Sequence, residues 1–202
     1  AGAAQTERTA LVSRRFIYDE APYPQAHASS LVALQDHGIG ASWFGGTHEK
    51  NPDVCIWFSR CDDGVWAEPI QVADGVQADG SRHPTWNPVL FQPVGSDLLL
   101  FYKVGPDPFS WWGMVTRSAD GGRSWSRAER LPEGVLGPIK NKPVQLADGT
   151  WVSPSSTEAG EGMGSAAGAN WRLHFEISAD QGRSWSLGEP TASPLNIDAI
   201  QP

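Results

Sequence analysis

Cysteine is nearly absent from this chain of 202 residues: Cys55 and Cys61 are its only two. They lie on one extended segment and its turn, too far apart for an easy disulfide. Both are read as free thiols, so no disulfide framework organises the fold. Long apolar runs are missing as well. None approaches the roughly 18 residues of a membrane-crossing helix, and no segment repeats apolar residues with helical period. Positive charge is scarce, with 15 Lys and Arg against 23 Asp and Glu and a net charge of −8. Such a surface repels phosphates on average, which argues against nonspecific nucleic-acid binding and leaves room for an anionic ligand in a locally basic pocket. The histidines His27, His37, His48, His83 and His174 are scattered, none at ligand spacing from another His or Cys. Neither a G-x-x-x-x-G-K-[ST] loop nor a G-x-S-x-G elbow occurs. No metal and no cofactor are expected.

Glycine, proline and tryptophan are plentiful instead, at 22, 16 and 10 residues, which suits many short strands joined by turns. One stretch organises the rest. Ser118-Ala119-Asp120-Gly121-Gly122-Arg123-Ser124-Trp125 returns as Ser178-Ala179-Asp180-Gln181-Gly182-Arg183-Ser184-Trp185, and a weaker copy, Ser59-Arg60-Cys61-Asp62-Asp63-Gly64-Val65-Trp66, precedes both. Copies about 60 residues apart mean a repeat of whole supersecondary units. Within each, an Asp carboxylate accepts backbone N–H groups, a Gly takes positive φ, and the Trp folds back over the turn.

The pattern S-x-D-x-G-x-x-W is the Asp box, and through it the chain resembles the sialidase superfamily of β-propellers. The resemblance implies an all-β fold, six-bladed in the complete protein, with about three four-stranded blades here. It makes Ser118, Asp120, Gly122, Trp125, Ser178, Asp180, Gly182 and Trp185 structural corners away from the catalytic face. The expected organisation is an N-terminal segment at 1–24 with a ring-closing strand over Leu11–Tyr18, blades at 25–79, 80–137 and 138–194, and the start of a fourth at 195–202. The glycine-rich stretch Ala159–Ala169 reads as a long surface insertion. Three blades leave an open edge, so a partner is expected to close the ring, either a C-terminal half or a second copy of this chain. The small residues Ala1-Gly2-Ala3-Ala4 suit a chain trimmed by signal peptidase, hence secreted or periplasmic.

In a propeller the first residues of each blade's innermost strand converge on one face. Here these are His27, then Thr85-Trp86-Asn87, then Lys140-Asn141-Lys142, a polar and cationic mouth suited to an acidic glycan. Tyr102, Lys103, Trp111 and Trp112 are expected to border it, the aromatic rings as platforms for sugar C–H faces. The loop Trp43–Asp53 crowds ionisable groups around a Gly-Gly turn, among them His48 and Glu49. By the resemblance Asp53 takes the acid/base role, with Glu49 the rival carboxylate and a plain turn-capping role the alternative for Asp53. Trp171-Arg172-Leu173-His174-Phe175-Glu176 alternates with period two and puts three ionisable groups on one face of a middle strand. There Arg172, with Glu158, either meets a ligand or belongs to a structural network.

Sialidases open their first blade with an Arg-Ile-Pro motif, where this chain has Gln25-Ala26-His27-Ala28-Ser29. Their other two arginines and their Tyr/Glu nucleophile pair would fall beyond Pro202. Three functions follow: a sialidase-like glycoside hydrolase using paired carboxylates from Asp53, Glu49 and Glu158; a uronate lyase with His27 or His48 as base and Lys140, Lys142 or Arg172 as cation; or a propeller that binds carbohydrate without cleaving it. No nucleic-acid or membrane partner is expected.

Overall fold

The computed structural model describes residues 14–159 and 170–189. Among them there is no helix, and the strands in order are β1 (Gln25–Ala33), β2 (Ile39–Gly46), β3 (Cys55–Asp62), β4 (Val65–Trp66), β5 (Ile70–Ala73), β6 (Thr85–Phe91), β7 (Leu98–Val104), β8 (Trp112–Ser118), β9 (Glu129–Arg130), β10 (Val144–Gln145), β11 (Trp151–Ala159), β12 (Asn170–Ser178) and β13 (Ser186–Leu187). They form three antiparallel sheets: β1-β2-β3-β4 with β5 also on β3, then β6-β7-β8-β9, then β10-β11-β12-β13. This is the all-β, up-and-down architecture of a sialidase-type propeller, one sheet per repeat.

Two strands are shaped by local features. The outer strand of the first blade comes in two pieces, β4 and β5. A tight turn at Asp63 and Gly64, with φ of 49° and 79°, returns the chain to β3 early. The innermost strand of the third blade, expected to begin at Lys140, pairs only at Val144–Gln145, since Pro143 has no N–H to give a ladder.

Period two on β7 explains how the blades stack. Leu98, Leu100, Tyr102 and Val104 join Phe44, Val54, Ile56 and Phe58 of the first blade. Leu99 and Phe101 point the other way, into a cluster with Val115, Leu131, Val135 and Trp151. A strand buried at every position is a strand covered on both faces, and each of its apolar side chains contributes about 1.5–3 kcal/mol on burial.

The Asp boxes lock the hairpins at the opposite end from the inner-strand starts. Ser118 Oγ donates to Asp120 Oδ1 at 2.8 Å and accepts from Gly122 N at 2.7 Å, and Asp120 takes the Ser124 N–H and Oγ–H at 2.8 and 2.6 Å. The second box repeats this, with Ser184 N and Oγ on Asp180 at 2.8 and 2.6 Å. Each box tryptophan packs edge-on against the preceding blade, Trp125 on Phe58 at 5.1 Å and Trp185 on Phe101 at 6.1 Å. Gly122 is required by space: with φ of 93°, an added Cβ would lie 2.3 Å from Phe58 Cζ. In the weaker first copy the turn aspartate is diverted. Asp62 pairs with Arg60, whose guanidinium also reaches Asp36 at 2.8 Å and Gly121 O at 2.8 Å, tying the first blade to the second blade's box.

The two outer faces depart from the sequence reading. Residues 14–18, expected as part of a ring-closing strand, form no strand. Tyr18 lies against Trp43 and Tyr23 against Trp57, with centroids 5.4 and 4.7 Å apart, so the segment covers the first sheet with side chains instead of extending it. On β12 the alternation holds, with Glu176 opposite Ser153 and His174 opposite Ser155. The ionisable face is the buried one: Glu176 is 0% exposed and Phe175 45%. Val144 and Phe175 lie on the far side of the third sheet, which no sheet among the described residues covers. Leu11–Ser13, residues 160–169 of the insertion and the expected fourth-blade start at 195–202 lie outside the described residues.

Candidate functional site

The leading ends of β1 and β6 are bent by the same device. Pairing skips between His27 and Ser30 in β1 and between Trp86 and Val89 in β6. In each gap the first residue has left-handed backbone, Ala28 with φ 52° and Asn87 with φ 42°. Such bulges re-aim the strand end and its side chains, and Asn tolerates the conformation better than most residues. In the third blade Asn141-Lys142-Pro143-Val144 aligns with Trp86-Asn87-Pro88-Val89. Ala28, Asn87 and Lys142 thus hold matching places in three successive blades.

These places are also close in space. Lys142 Nζ lies 3.5 Å from Ser30 Oγ on β1, and that hydroxyl accepts the Leu90 N–H of β6 at 3.0 Å. Residues of all three inner segments therefore meet at Ser30, three positions from His27. Lys142 is exposed as a residue, and partial desolvation of its ammonium lowers its pKa. Lys140 is exposed. His27 is exposed and stacks on Phe44 at 5.5 Å and 15°, and the aromatic row continues through Trp86 to Trp111 at 6.4 and 6.0 Å. Trp112 is less open than a platform needs to be: the Arg130 guanidinium sits 4.9 Å from its ring and His83 meets it edge-on at 5.5 Å. Two grooves flank this end, one of about 600 Å³ between residues 15–19, His27 and Trp43, the other of about 330 Å³ between Phe109, Trp111, Arg130 and Thr157.

The 47–53 loop is held by its aspartate. Asp53 takes the Thr47 N–H at 3.2 and 3.1 Å on its two oxygens and the Thr47 hydroxyl at 2.6 Å on Oδ2. The side-chain bond from Thr47 is the main cause of its lowered pKa. As arranged, Asp53 is an ionised turn-capping acceptor, the state of a base or an electrostatic partner and not of a proton donor. His48 and Glu49 are exposed, and His48 Nδ1 lies 2.7 Å from Glu49 O.

Lys103 requires a correction. It does not border the mouth: it is 0% exposed, between the second and third blades, with Nζ donating to Pro138 O at 2.7 Å. Both faces of β7 are covered: Tyr102, also expected at the mouth, is buried against the first blade, and Lys103 follows Leu99 and Phe101 on the face turned to the third. Arg172 is half-buried on β12 opposite Thr157, and the Glu158 side chain lies outside the described residues. Sequence reasoning missed Ser30 and the use made of Glu176, whose carboxylate accepts the N–H groups of Leu136 and Gly137 at 2.8 and 2.7 Å. Alternation marked Glu176 as a buried ionisable group, but its partners are backbone amides some forty residues earlier, which carry no side-chain signal. Among the described residues no group of three His, Cys, Asp or Glu could hold a metal, and no helix is long and apolar enough to cross a membrane.

The sequence profile of the BNR repeat-like domain matches residues 38–202. Among curated proteins none matches. Solved structures share the fold. The Hadza microbial sialidase Hz136 superimposes with a TM-score of 0.65 at 14% identity, over 83% of this chain and 38% of its own. The NanB sialidase of Streptococcus pneumoniae gives 0.65 at 12%, over 89% and 46%. The α-L-arabinanase of Penicillium chrysogenum, solved with arabinobiose, gives 0.54 at 20%, over 84% and 50%. The chain spans half or less of the length of these three structures, and the likeness is one of glycoside hydrolase-like fold.

Proposed function

This chain belongs to the BNR repeat-like domain family, and from that premise we propose that it builds part of the acidic-sugar site of a sialidase-like glycoside hydrolase. The observation that carries the reading is the meeting of three inner segments at Ser30 under the Lys142 ammonium. Lys142, with Lys140, supplies positive potential for a sugar carboxylate, a place that arginine takes in the sialidases this chain resembles. Asn87 adds a side-chain amide at the matching position of the middle blade, and His27 offers a ring nitrogen at the rim. Trp111 gives an aromatic face beside the polar groups. Asp53 or Glu49 serves at the glycosidic bond, Asp53 taking a proton from water or stabilising positive charge at the anomeric carbon. No metal or other cofactor is part of this reading. The uncovered face of the third sheet takes the next blade, from a C-terminal half or a second copy. A secreted or periplasmic location agrees with a glycan substrate.

One observation favours a second reading. Asp53 is held ionised by Thr47, whereas His48 and His27 stand exposed near the same end. A uronate lyase would use such a histidine to remove the proton next to the carboxylate, with Lys142 stabilising the enolate. The C–O bond to the leaving sugar then breaks and an unsaturated uronate forms.

Incubation with sialosides and with uronate-containing oligosaccharides separates these outcomes. Free sialic acid supports the hydrolase, and an ultraviolet-absorbing product supports the lyase. Retention without product means a binding propeller, and no retention of either glycan defeats the acidic-sugar reading.

A further inference from the structure

Four residues in a row, Leu136 to Ile139, each have at least one backbone polar group taken up by a neighbouring strand. Glu176 accepts the Leu136 and Gly137 N–H groups at 2.8 and 2.7 Å. Ser155 Oγ donates to Gly137 O at 3.1 Å, Lys103 Nζ donates to Pro138 O at 2.7 Å, and Ile139 N donates to Pro154 O at 3.4 Å. The segment also lies tight on β8, where a Cβ added at Gly113 would sit 2.5 Å from Leu136 O. Lys103 and Glu176 are both 0% exposed. Burying an ammonium and a carboxylate is costly, and apolar side chains of similar volume commonly fill an interface as well or better. What two charged groups supply that apolar ones do not is fixed placement of polar backbone. The next residues along the chain are Lys140, Asn141 and Lys142.

We propose that Lys103 and Glu176 are positioning residues: from adjacent blades they hold the 136–139 segment so that Lys140 and Lys142 are delivered in fixed geometry to the inner end of the blades. Lys103 touches no ligand. It acts through Pro138 O, and Glu176 acts through two amides of the same strap. The functional half of this proposal rests on the reading of Lys142 as a carboxylate ligand; the mechanical half does not.

The test measures amide hydrogen exchange along the chain together with affinity for N-acetylneuraminic acid and for glucuronic acid. Lys103→Met and Glu176→Gln are compared with Tyr102→Phe, a buried change on the other face of β7, and with Lys142→Met. Exchange at residues 136–142 should rise at least tenfold in Lys103→Met and Glu176→Gln and stay unchanged in Tyr102→Phe and Lys142→Met. Sugar affinity should fall at least tenfold in the two strap variants, well below their unfolding temperatures, as it does in Lys142→Met. Should Lys103→Met fail to fold, Ser155→Ala tests the same strap with a smaller expected rise. Unchanged exchange at 136–142, or a rise spread evenly over all blades, overturns the proposal. If the unaltered chain binds neither sugar, the acidic-sugar reading falls, and the exchange pattern still decides whether the strap is held as described.

Discussion

Lys142 Nζ stands 3.5 Å from Ser30 Oγ, across 112 residues of sequence and two blade boundaries. The contact exists because Ser30 follows a bulge in β1 that turns its side chain to the second blade, and because Pro143 releases Lys142 from the ladder of the third. If the ammonium serves a sugar carboxylate, Lys142→Met removes a charge-assisted hydrogen bond of about 1.5–3 kcal/mol, or ten- to a hundredfold in affinity. Calorimetric titration with N-acetylneuraminic and glucuronic acids checks this. Ser30→Ala should weaken binding less, since it leaves the charge in place. Equal affinity in Lys142→Met and the unaltered chain removes Lys142 from the site.

Acid should loosen the corners before it loosens the core. Asp120 and Asp180 are held below the usual carboxylate range by their serines, Asp180 to about 2. A carboxylate whose folded pKa is depressed contributes stability above its unfolded pKa and loses it as pH falls through the folded value. The contribution is therefore whole above about pH 4 and drains away between there and about pH 2. Melting temperature followed over that range should drop, and Asp120→Asn with Asp180→Asn should flatten the drop. A double variant as acid-sensitive as the parent would show that the boxes do not set the limit. Asp120 is exposed and Asp180 half-buried, so the effect shrinks with added salt, more at Asp120 than at Asp180.

Much of the fold is legible because turn chemistry is local. S-x-D-x-G-x-x-W specifies its hydrogen bonds within eight residues, so the boxes, the blade count and the hairpin order follow from the sequence. The outer face of the first blade was less legible, since Tyr18 and Tyr23 cover Trp43 and Trp57 by side-chain contact that leaves no period. At the candidate site, the inner-strand positions could be placed because they recur at blade spacing. Lys103 could not: it stands near a strand end, and it is buried because neighbouring blades cover both faces of β7. Asp53 is a candidate by the resemblance alone, and its tie to Thr47 depends on how the loop closes.

The box at Ser118–Trp125 should be intolerant of a methyl group. Gly122 has φ of 93°, and a Cβ there would sit 2.3 Å from Phe58 Cζ. Gly122→Ala carries both backbone strain and overpacking, each costing about 1–3 kcal/mol. Chemical denaturation should show a loss of that order, along with altered fluorescence of Trp125. Gly149→Ala, where φ is 90° but nothing lies within 4 Å, should cost only the strain. Equal losses in the two variants would contradict the packing argument. The affinity of either variant for an acidic sugar should not change, because the boxes sit at the far end of the blades.

The buried lysine leaves a signature on the alkaline side. Burial lowers Lys103 to about 7 from an ordinary 10.5, with the Glu176 carboxylate pulling the other way. The unfolded chain then holds this proton up to about pH 10, while the folded chain gives it up near 7. Between those limits the unfolded state binds more protons, so stability rises with pH, by up to about 1.4 kcal/mol per unit for one proton. Below about 7 both states are protonated and the slope from this group vanishes. Glu176 and His174 face the same interface, with His174 Nε2 3.5 Å from Glu176 Oε1, so the slope is read as a difference between variants. Denaturation between pH 7 and 10 should show stability rising more steeply in the parent than in Lys103→Met, where no proton is exchanged at this position. Lys103→Met should also exceed the parent in stability at neutral pH if the desolvation outweighs the bond to Pro138 O, and fall below it if that bond dominates. Parallel pH profiles in parent and variant would mean that Pro138 O and the Glu176 carboxylate hold the proton on Lys103 across this range, and would overturn the prediction.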